Sequence, residues 1–209
     1  MRALEIKGLN FSYGRRTILR NVNLEIEHPS VVSIIGSNGS GKSTLAKIVV
    51  GQLKGDGEIL VFGKLVLGKG KYLPPGKRGL AYVPQKNPVF PHLTVEENLR
   101  FVTSNHKLIE EVIELFELND LLELRGRELS GGQAKRVSMA MALASGKKLI
   151  VMDEPLSGVD PLSREALIDL MKEVSEREGI SILWITHFKE VVEKSDEAYV
   201  MKKGSLVRV

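Results

Sequence analysis

Residues 31–44 read Val31-Val32-Ser33-Ile34-Ile35-Gly36-Ser37-Asn38-Gly39-Ser40-Gly41-Lys42-Ser43-Thr44. The first five form a short apolar, β-branched run, the pattern of a strand buried on both faces of a sheet. The next nine match the phosphate-binding pattern G-x-x-x-x-G-K-[ST]. Its glycines let the backbone adopt φ > 0 and approach an anion with no Cβ in the way. Successive N–H groups then point into one concavity, at the positive end of the helix that Lys42 opens. Lys42 supplies a compact cation for the outer phosphates, and the Ser43 hydroxyl is a hard oxygen ligand suited to Mg²⁺. Strand, glycine-rich turn and helix in this order predict a nucleotide site built from Ser37, Asn38, Gly39, Ser40, Gly41, Lys42, Ser43 and Thr44.

Outward from this stretch, the apolar pattern predicts alternating strands and helices. Upstream, Leu4, Ile6 and Leu9, then Leu24 and Ile26, alternate with polar residues as in strands with one buried face. Downstream, a helix is predicted from Lys42 to about Gly51, then short strands over residues 57–63 and 80–83. From Thr94 the period becomes helical: Val95, Leu99 and Val102, then Leu108, Val112, Leu115 and Leu118. This mostly helical insert runs to about Ser145. Strand signals return at Leu149–Met152 and Ile180–Ile185, separated by an amphipathic helix opening at Pro161. Trp184 reads as core within the second of these strands. Ala198–Met201 and Leu206–Val209 flank a Lys203-Gly204 turn as a hairpin. Strands alternating with helices argue for an α/β fold around a mostly parallel sheet, in a single domain spanning 1–209.

Composition narrows the chemistry. With 209 residues and 43% hydrophobic residues, the chain can bury a substantial core. Cysteine is absent, which excludes disulfides, Cys-ligated metals and a Cys nucleophile. The net charge of +4 is spread along the chain rather than blocked, so no nucleic-acid partner is expected. No segment approaches the ~18 apolar residues a bilayer span needs, and Met1 to Gly14 lacks the apolar region of a signal peptide. Any membrane role must come through a partner.

The run Leu149-Ile150-Val151-Met152 ends in the acids Asp153 and Glu154. Side chains alternate along a strand, so the two should point different ways and serve different roles. Asp153 is the candidate for holding Mg²⁺, through water, and Glu154 the candidate general base for an attacking water. Leu129-Ser130-Gly131-Gly132-Gln133 precedes a helical run through Ala144. Ser130 is a good N-cap, and the two glycines expose backbone N–H groups at a second helix start. His28, His92 and His106 read as ordinary surface residues.

Here the sequence resembles the ABC ATPases, the nucleotide-binding subunits of ABC transporters. LSGGQ at 129–133 is their signature, and their other motifs occur in the expected order along essentially the whole chain. Tyr13, in Phe11-Ser12-Tyr13-Gly14, matches the aromatic that stacks on adenine. Gln85, after Tyr82-Val83-Pro84, matches the Q-loop glutamine, which contacts Mg²⁺ or the attacking water and links to the membrane partner. Leu156-Ser157-Gly158-Val159-Asp160 resembles the D-loop. His187, after Ile185-Thr186, matches the histidine that contacts the γ-phosphate. Two positions depart from the pattern: Ala134, where a basic or polar residue is usual, and Met141, where arginine is frequent. Neither touches phosphate in the family. Nothing matches the C-terminal regulatory extension of some importer ATPases, so regulation through one is not expected.

The resemblance implies a P-loop NTPase core with a mostly parallel sheet and an N-terminal antiparallel β-subdomain. A helical subdomain, at approximately 87–146, is inserted between the Q-loop and the signature. It implies a head-to-tail dimer, with a second identical or paralogous ATP-binding subunit, in which Ser130, Gly131, Gly132 and Gln133 serve the partner's nucleotide. Glu154, His187, Gln85 and Lys42 would carry catalysis, and Ser43, Gln85 and Asp153 would hold Mg²⁺. Integral membrane permease subunits are the implied load, with the chain peripheral on the cytoplasmic face of the cell membrane. The run Asn87-Pro88-Val89-Phe90-Pro91-His92-Leu93-Thr94-Val95-Glu96-Glu97-Asn98 is similar to that of importer ATPases. The alternative is a soluble ABC ATPase without a transport role, such as one serving iron–sulfur cluster assembly. There is no room for the coiled coils of repair members, and one cassette rather than two speaks against translation-associated members. A P-loop kinase or switch protein would not explain the signature together with Gln85 and His187.

Overall fold

Two β-sheets enclose the helix that follows the glycine-rich loop, and further helices cover the outer face of one sheet. The computed structural model describes residues 1–86 and 88–209. Asn87, where the expected helical insert and the importer-like run both begin, lies outside the described residues.

The first sheet is antiparallel. It comprises β1 (Arg2–Tyr13), β2 (Arg16–Glu27), β4 (Asp56–Val61), β5 (Lys64–Gly68) and β6 (Lys71–Tyr72), in the order β2-β1-β4-β5-β6. The second comprises β3 (Val31–Ile35), β7 (Ala81–Val83), β8 (Leu149–Asp153), β9 (Ser181–Ile185), β10 (Glu197–Lys202) and β11 (Ser205–Arg208), in the order β11-β10-β3-β9-β8-β7. Its strands pair in parallel except at the β10–β11 hairpin. This is the expected α/β architecture, a mostly parallel sheet with an N-terminal antiparallel sheet. The short strands β5 and β6 and the helix α6 (Lys189–Glu193) were not foreseen.

Alternation along the second sheet builds two cores. Val32 and Ile34 of β3, Val151 of β8, and Leu183 and Ile185 of β9 face the antiparallel sheet. Between the sheets lies α1 (Lys42–Val50), contributing Leu45, Ala46, Ile48, Val49 and Val50 to the same cluster. Val31, Ile150, Met152, Ile182 and Trp184 point the other way, into a cluster covered by α4 (Gly131–Ala144) and α5 (Pro161–Glu178). Both faces of these strands are therefore dry, which is why they read as continuous apolar runs. Trp184 is in the core, as expected.

Helix boundaries follow local chemistry. Asp160 caps α5 by accepting from the Ser163 N–H at 3.0 Å, Pro161 occupies the first turn, and Gly179 ends it in the left-handed conformation. Within the foreseen helical stretch, α2 (Val95–Val102) opens on a capping box between Thr94 and Glu97. Asn105 caps α3 (His106–Leu115) through the Leu108 N–H. Both α2 and α3 pack against α4, the helix that carries the signature at its start.

Two polar groups secure this frame. Arg78, only 1% exposed, donates to the carbonyls of Ile48 and Val49 at 2.7 and 2.9 Å and to Leu73 at 2.7 Å. It thereby satisfies the last turn of α1, where carbonyls lack helical partners and the dipole favours a cation. His28 is not an ordinary surface residue. It is half-buried, with Nδ1 2.9 Å from the Ser181 hydroxyl and its ring edge-on to Phe62. His92 and His106 are exposed, as expected.

Candidate nucleotide site

The site lies where β3, β8 and β9 end, at the carboxyl edge of the parallel sheet, the edge at which open α/β sheets bind ligands. Gly36 to Gly41 leave β3 as a loop, and Lys42 begins α1. Gly41, at φ 113°, precedes the helix without a side-chain cap, so its first N–H groups are not claimed by a capping side chain. A Cβ on Gly36 would come within 2.6 Å of the Met201 carbonyl, so the loop is pressed against β10. Lys42, 6% exposed, folds back over the loop and donates to the carbonyls of Gly36 and Ser37 at 2.7 and 3.2 Å. Burial lowers its pKa, opposed by the charges of Glu154 and Asp153. The Ser40 hydroxyl is buried with no hydrogen-bond partner among the described residues.

Asp153 closes β8 and is 1% exposed. Ser43 Oγ donates to Asp153 Oδ1 at 2.9 Å, joining the start of α1 to the end of β8. Burial raises the Asp153 pKa, with the Ser43 bond and two lysines opposing and the Glu154 charge adding to the rise. On the neighbouring β7, burial and Asp153 push the Tyr82 phenol up, keeping it protonated. A hydroxyl and a carboxylate oxygen 2.9 Å apart are a hard donor pair that suits Mg²⁺, which takes few protein ligands and completes its shell with phosphates and water. No group of three or more His, Cys, Asp or Glu able to hold a metal occurs among the described residues.

Glu154 and Asp153 have different partners, but not through strand alternation. The strand ends at Asp153, and Glu154 adopts φ 50°, a left-handed conformation costly for a residue with a Cβ. Its N–H donates to the Ile185 carbonyl at 2.9 Å, and its own carbonyl accepts from the Ser157 hydroxyl at 3.0 Å. The carboxylate is thereby held 2.7 Å from His187 Nδ1, just beyond β9. Two contacts beyond the foreseen residues extend this pair: the Phe188 ring lies 4.1 Å from that of His187, and the Arg164 guanidinium lies 3.8 Å above Phe188. Arg164 also donates to the Val159 carbonyl in the foreseen D-loop segment, at 3.3 Å.

Not every expected residue joins this cluster. Gln85 lies one strand away, just after β7, with its side chain exposed. Tyr13, 51% exposed, ends β1 with its ring edge-on to Phe11 at 4.8 Å. Ser130 caps α4 in a capping box, accepting from the Gln133 N–H at 3.2 Å while its own N–H donates to Gln133 Oε1 at 2.8 Å. Gly131 and Gly132 follow with open space where a Cβ would stand. No hydrogen bond among the described residues joins 130–133 to the loop at 36–44.

Sequence reasoning missed Lys135, which is 5% exposed and hydrogen-bonded to the carbonyls of Pro84 and Gln85. The available signal was a lysine on the apolar face of the signature helix, between Ala134 and Val137.

A phosphate loop, an acid pair and a capped glycine helix start on this sheet define an ATP-binding cassette. The family model described as ABC transporter matches residues 19–157, and the chain belongs to that family. It is 37% identical over 98% of its length to the energy-coupling factor transporter ATP-binding protein of Onion yellows phytoplasma, covering 77% of that protein. It is 35% identical over 95% of its length to the glucose import ATP-binding protein of Saccharolobus solfataricus, covering 60% of it. The chain spans about three fifths or less of the length of several curated relatives it matches. A dimeric ATP-binding cassette in a post-hydrolysis state, bound to ADP and phosphate, is similar with a TM-score of 0.85 and 28% identity, over 98% of this chain and 97% of that one. The chain is thus similar to ATP-binding subunits of transporters.

Proposed function

We propose that this chain hydrolyses ATP to ADP and phosphate and works as half of a head-to-tail dimer that drives a membrane transporter, of importer type. One observation carries the proposal: Ser43–Asp153 and His187–Glu154 are two separate polar pairs at the same sheet edge as the phosphate loop. Binding and water activation thus have different carboxylates within one site.

In this reading Tyr13 stacks on adenine, and Ser37, Asn38, Gly39, Ser40, Gly41, Lys42, Ser43 and Thr44 surround the phosphates. The loop N–H groups and the Lys42 ammonium neutralise charge that grows on the outer phosphate oxygens during transfer. Ser43 and Asp153, with Gln85, would hold Mg²⁺, which would offset the negative charge of the phosphates. Glu154 orients the attacking water and accepts its proton. His187 fixes the Glu154 carboxylate and reaches the γ-phosphate. Ser130, Gly131, Gly132 and Gln133, apart from the loop within one chain, serve the partner's nucleotide. ATP binding would close the dimer and hydrolysis would reopen it, moving attached permease subunits.

No helix among the described residues is long and apolar enough to cross a membrane. In this reading the membrane role belongs to partner subunits, and the cytoplasmic face is where ATP is available to the dimer. The names of the import relatives support this reading over iron–sulfur assembly, and the cargo is unassigned. The test is affinity purification from detergent-solubilised native membranes, alongside phosphate release by the purified chain. Recovery of a polytopic membrane protein is expected. A soluble scaffold alone would sink the transport reading.

A further inference from the structure

Lys135 is the one charged residue among the buried residues of α4. Its neighbours Ala134, Val137 and Ser138 are buried with it, and it is itself 5% exposed. Its ammonium donates to the Pro84 carbonyl at 3.0 Å and to the Gln85 carbonyl at 2.5 Å. Withdrawing an ammonium from water is costly unless it is bonded, and burial does lower the pKa of this lysine, while the charges of Asp153 and Glu154 raise it. Packing alone would be served better by methionine or leucine, so the charge calls for a role.

The carbonyls it holds belong to consecutive residues, at the point where the chain leaves β7. One buried ammonium bonded to both restrains the orientation of two successive peptide planes. Gln85 has no such restraint from its own side chain, which is exposed. The other end of the strut is the second turn of α4, whose N-cap is Ser130 and whose first turn holds Gly131 and Gly132. A shift of the signature helix therefore pulls on the backbone of Gln85 directly.

We infer that Lys135 is a positioning residue for Gln85, a strut whose buried ammonium ties the backbone at the exit of β7 to the helix carrying the signature. The inference rests on the ATP-hydrolysis reading. Among the described residues Lys135 makes no hydrogen bond to the phosphate loop, so its loss disturbs turnover rather than nucleotide binding.

Steady-state ATPase kinetics of the purified chain test this with Lys135→Met, Lys135→Arg, Gln85→Ala and the double variant Gln85→Ala/Lys135→Met. Lys135→Met should lower kcat about tenfold or more, the scale of a misplaced reacting group, with KM changed by about twofold or less. Lys135→Arg, which keeps the charge and the donors, should restore most of the rate. In the Gln85→Ala background, Lys135→Met should cost nothing further, because the two act through one position. Lys135→Gln, which removes the charge and shortens the side chain so that it no longer bonds both carbonyls, replaces the methionine variant if that fails to fold. Wild-type kcat in the methionine or glutamine variant overturns the inference, as do losses from Gln85→Ala and Lys135→Met that multiply. Absence of turnover by the wild-type chain overturns the hydrolysis reading, and this inference with it.

Discussion

His187 Nδ1 and Glu154 Oε2 lie 2.7 Å apart, across the gap between the ends of β9 and β8. The contact depends on a backbone device. Glu154 is turned out of the strand direction by its left-handed φ of 50° and pinned there by its N–H bond to Ile185. Because β8 and β9 are adjacent parallel strands, one carboxylate is aimed at the histidine while its sequence neighbour faces α1.

Glu154→Gln should lower ATP turnover by about 10² or more, the usual contribution of a positioned general base, while leaving nucleotide binding intact and holding the dimer in its ATP-bound form. His187→Ala should also lower kcat. Phosphate release and size-exclusion chromatography with ATP check both. Wild-type turnover by Glu154→Gln would show that another group activates the water.

Lys42→Ala removes the cation folded over the Gly36 and Ser37 carbonyls. Nucleotide affinity should fall by about tenfold or more, since bonds to charged groups are worth about 1.5–3 kcal/mol. Titration with a fluorescent ATP analogue reads this directly.

Ser43→Ala removes the hydroxyl bonded to Asp153. It should raise the Mg²⁺ concentration needed for half-maximal turnover, and chelation of Mg²⁺ should stop turnover in the wild type. An unchanged Mg²⁺ dependence would rule Ser43 out as a ligand.

Arg78→Met leaves the carbonyls of Ile48, Val49 and Leu73 without a shared donor. Stripping buried acceptors of their partner costs about 1–3 kcal/mol per group, partly recovered because no cation is then buried. A loss of about 2–4 kcal/mol is expected in urea unfolding, since this arginine anchors the far end of the phosphate-loop helix.

His28 gives a pH dependence of stability. Burial, then Lys148 and the N-terminal ammonium, hold its pKa below the usual histidine value. The unfolded chain therefore binds the proton more readily, so the contribution is complete above about pH 6.5 and is lost as pH falls through the folded pKa. Urea unfolding at pH 7.5 and 5.5 should show a larger loss in the wild type than in His28→Gln. Equal losses in the two proteins would mean that His28 is not the titrating group.

Much of this was legible beforehand. The run Val31–Ile35 showed itself as a strand dry on both sides because both cores draw on it. The helix from Pro161 was bounded by residues whose backbone preferences are local: a capping aspartate, a proline and a glycine. The strands β5 and β6 escaped notice because Lys64–Tyr72 mixes lysines and glycines with a short apolar run, and only pairing of β5 with β4 and of β6 with β5 makes them strands. Lys135 and Arg164 were missed for a related reason. Their partners are backbone carbonyls and a ring contributed by other segments, and no spacing rule reports such contacts.

By itself, the sequence determined the local parts: the phosphate loop, its strand and helix, the acid pair, and the capped start of the signature helix. Each follows from backbone preference and short-range periodicity, which act over a few residues. Only the tertiary structure decided which groups meet. Ser43 reaches Asp153 across 110 positions, His187 reaches Glu154 across 33, and Lys135 holds the backbone at Gln85 from 50 residues away. Those distances are set by the order of strands in the sheet and by the turn at Glu154, where strand pairing overrides the local preference of a residue with a Cβ.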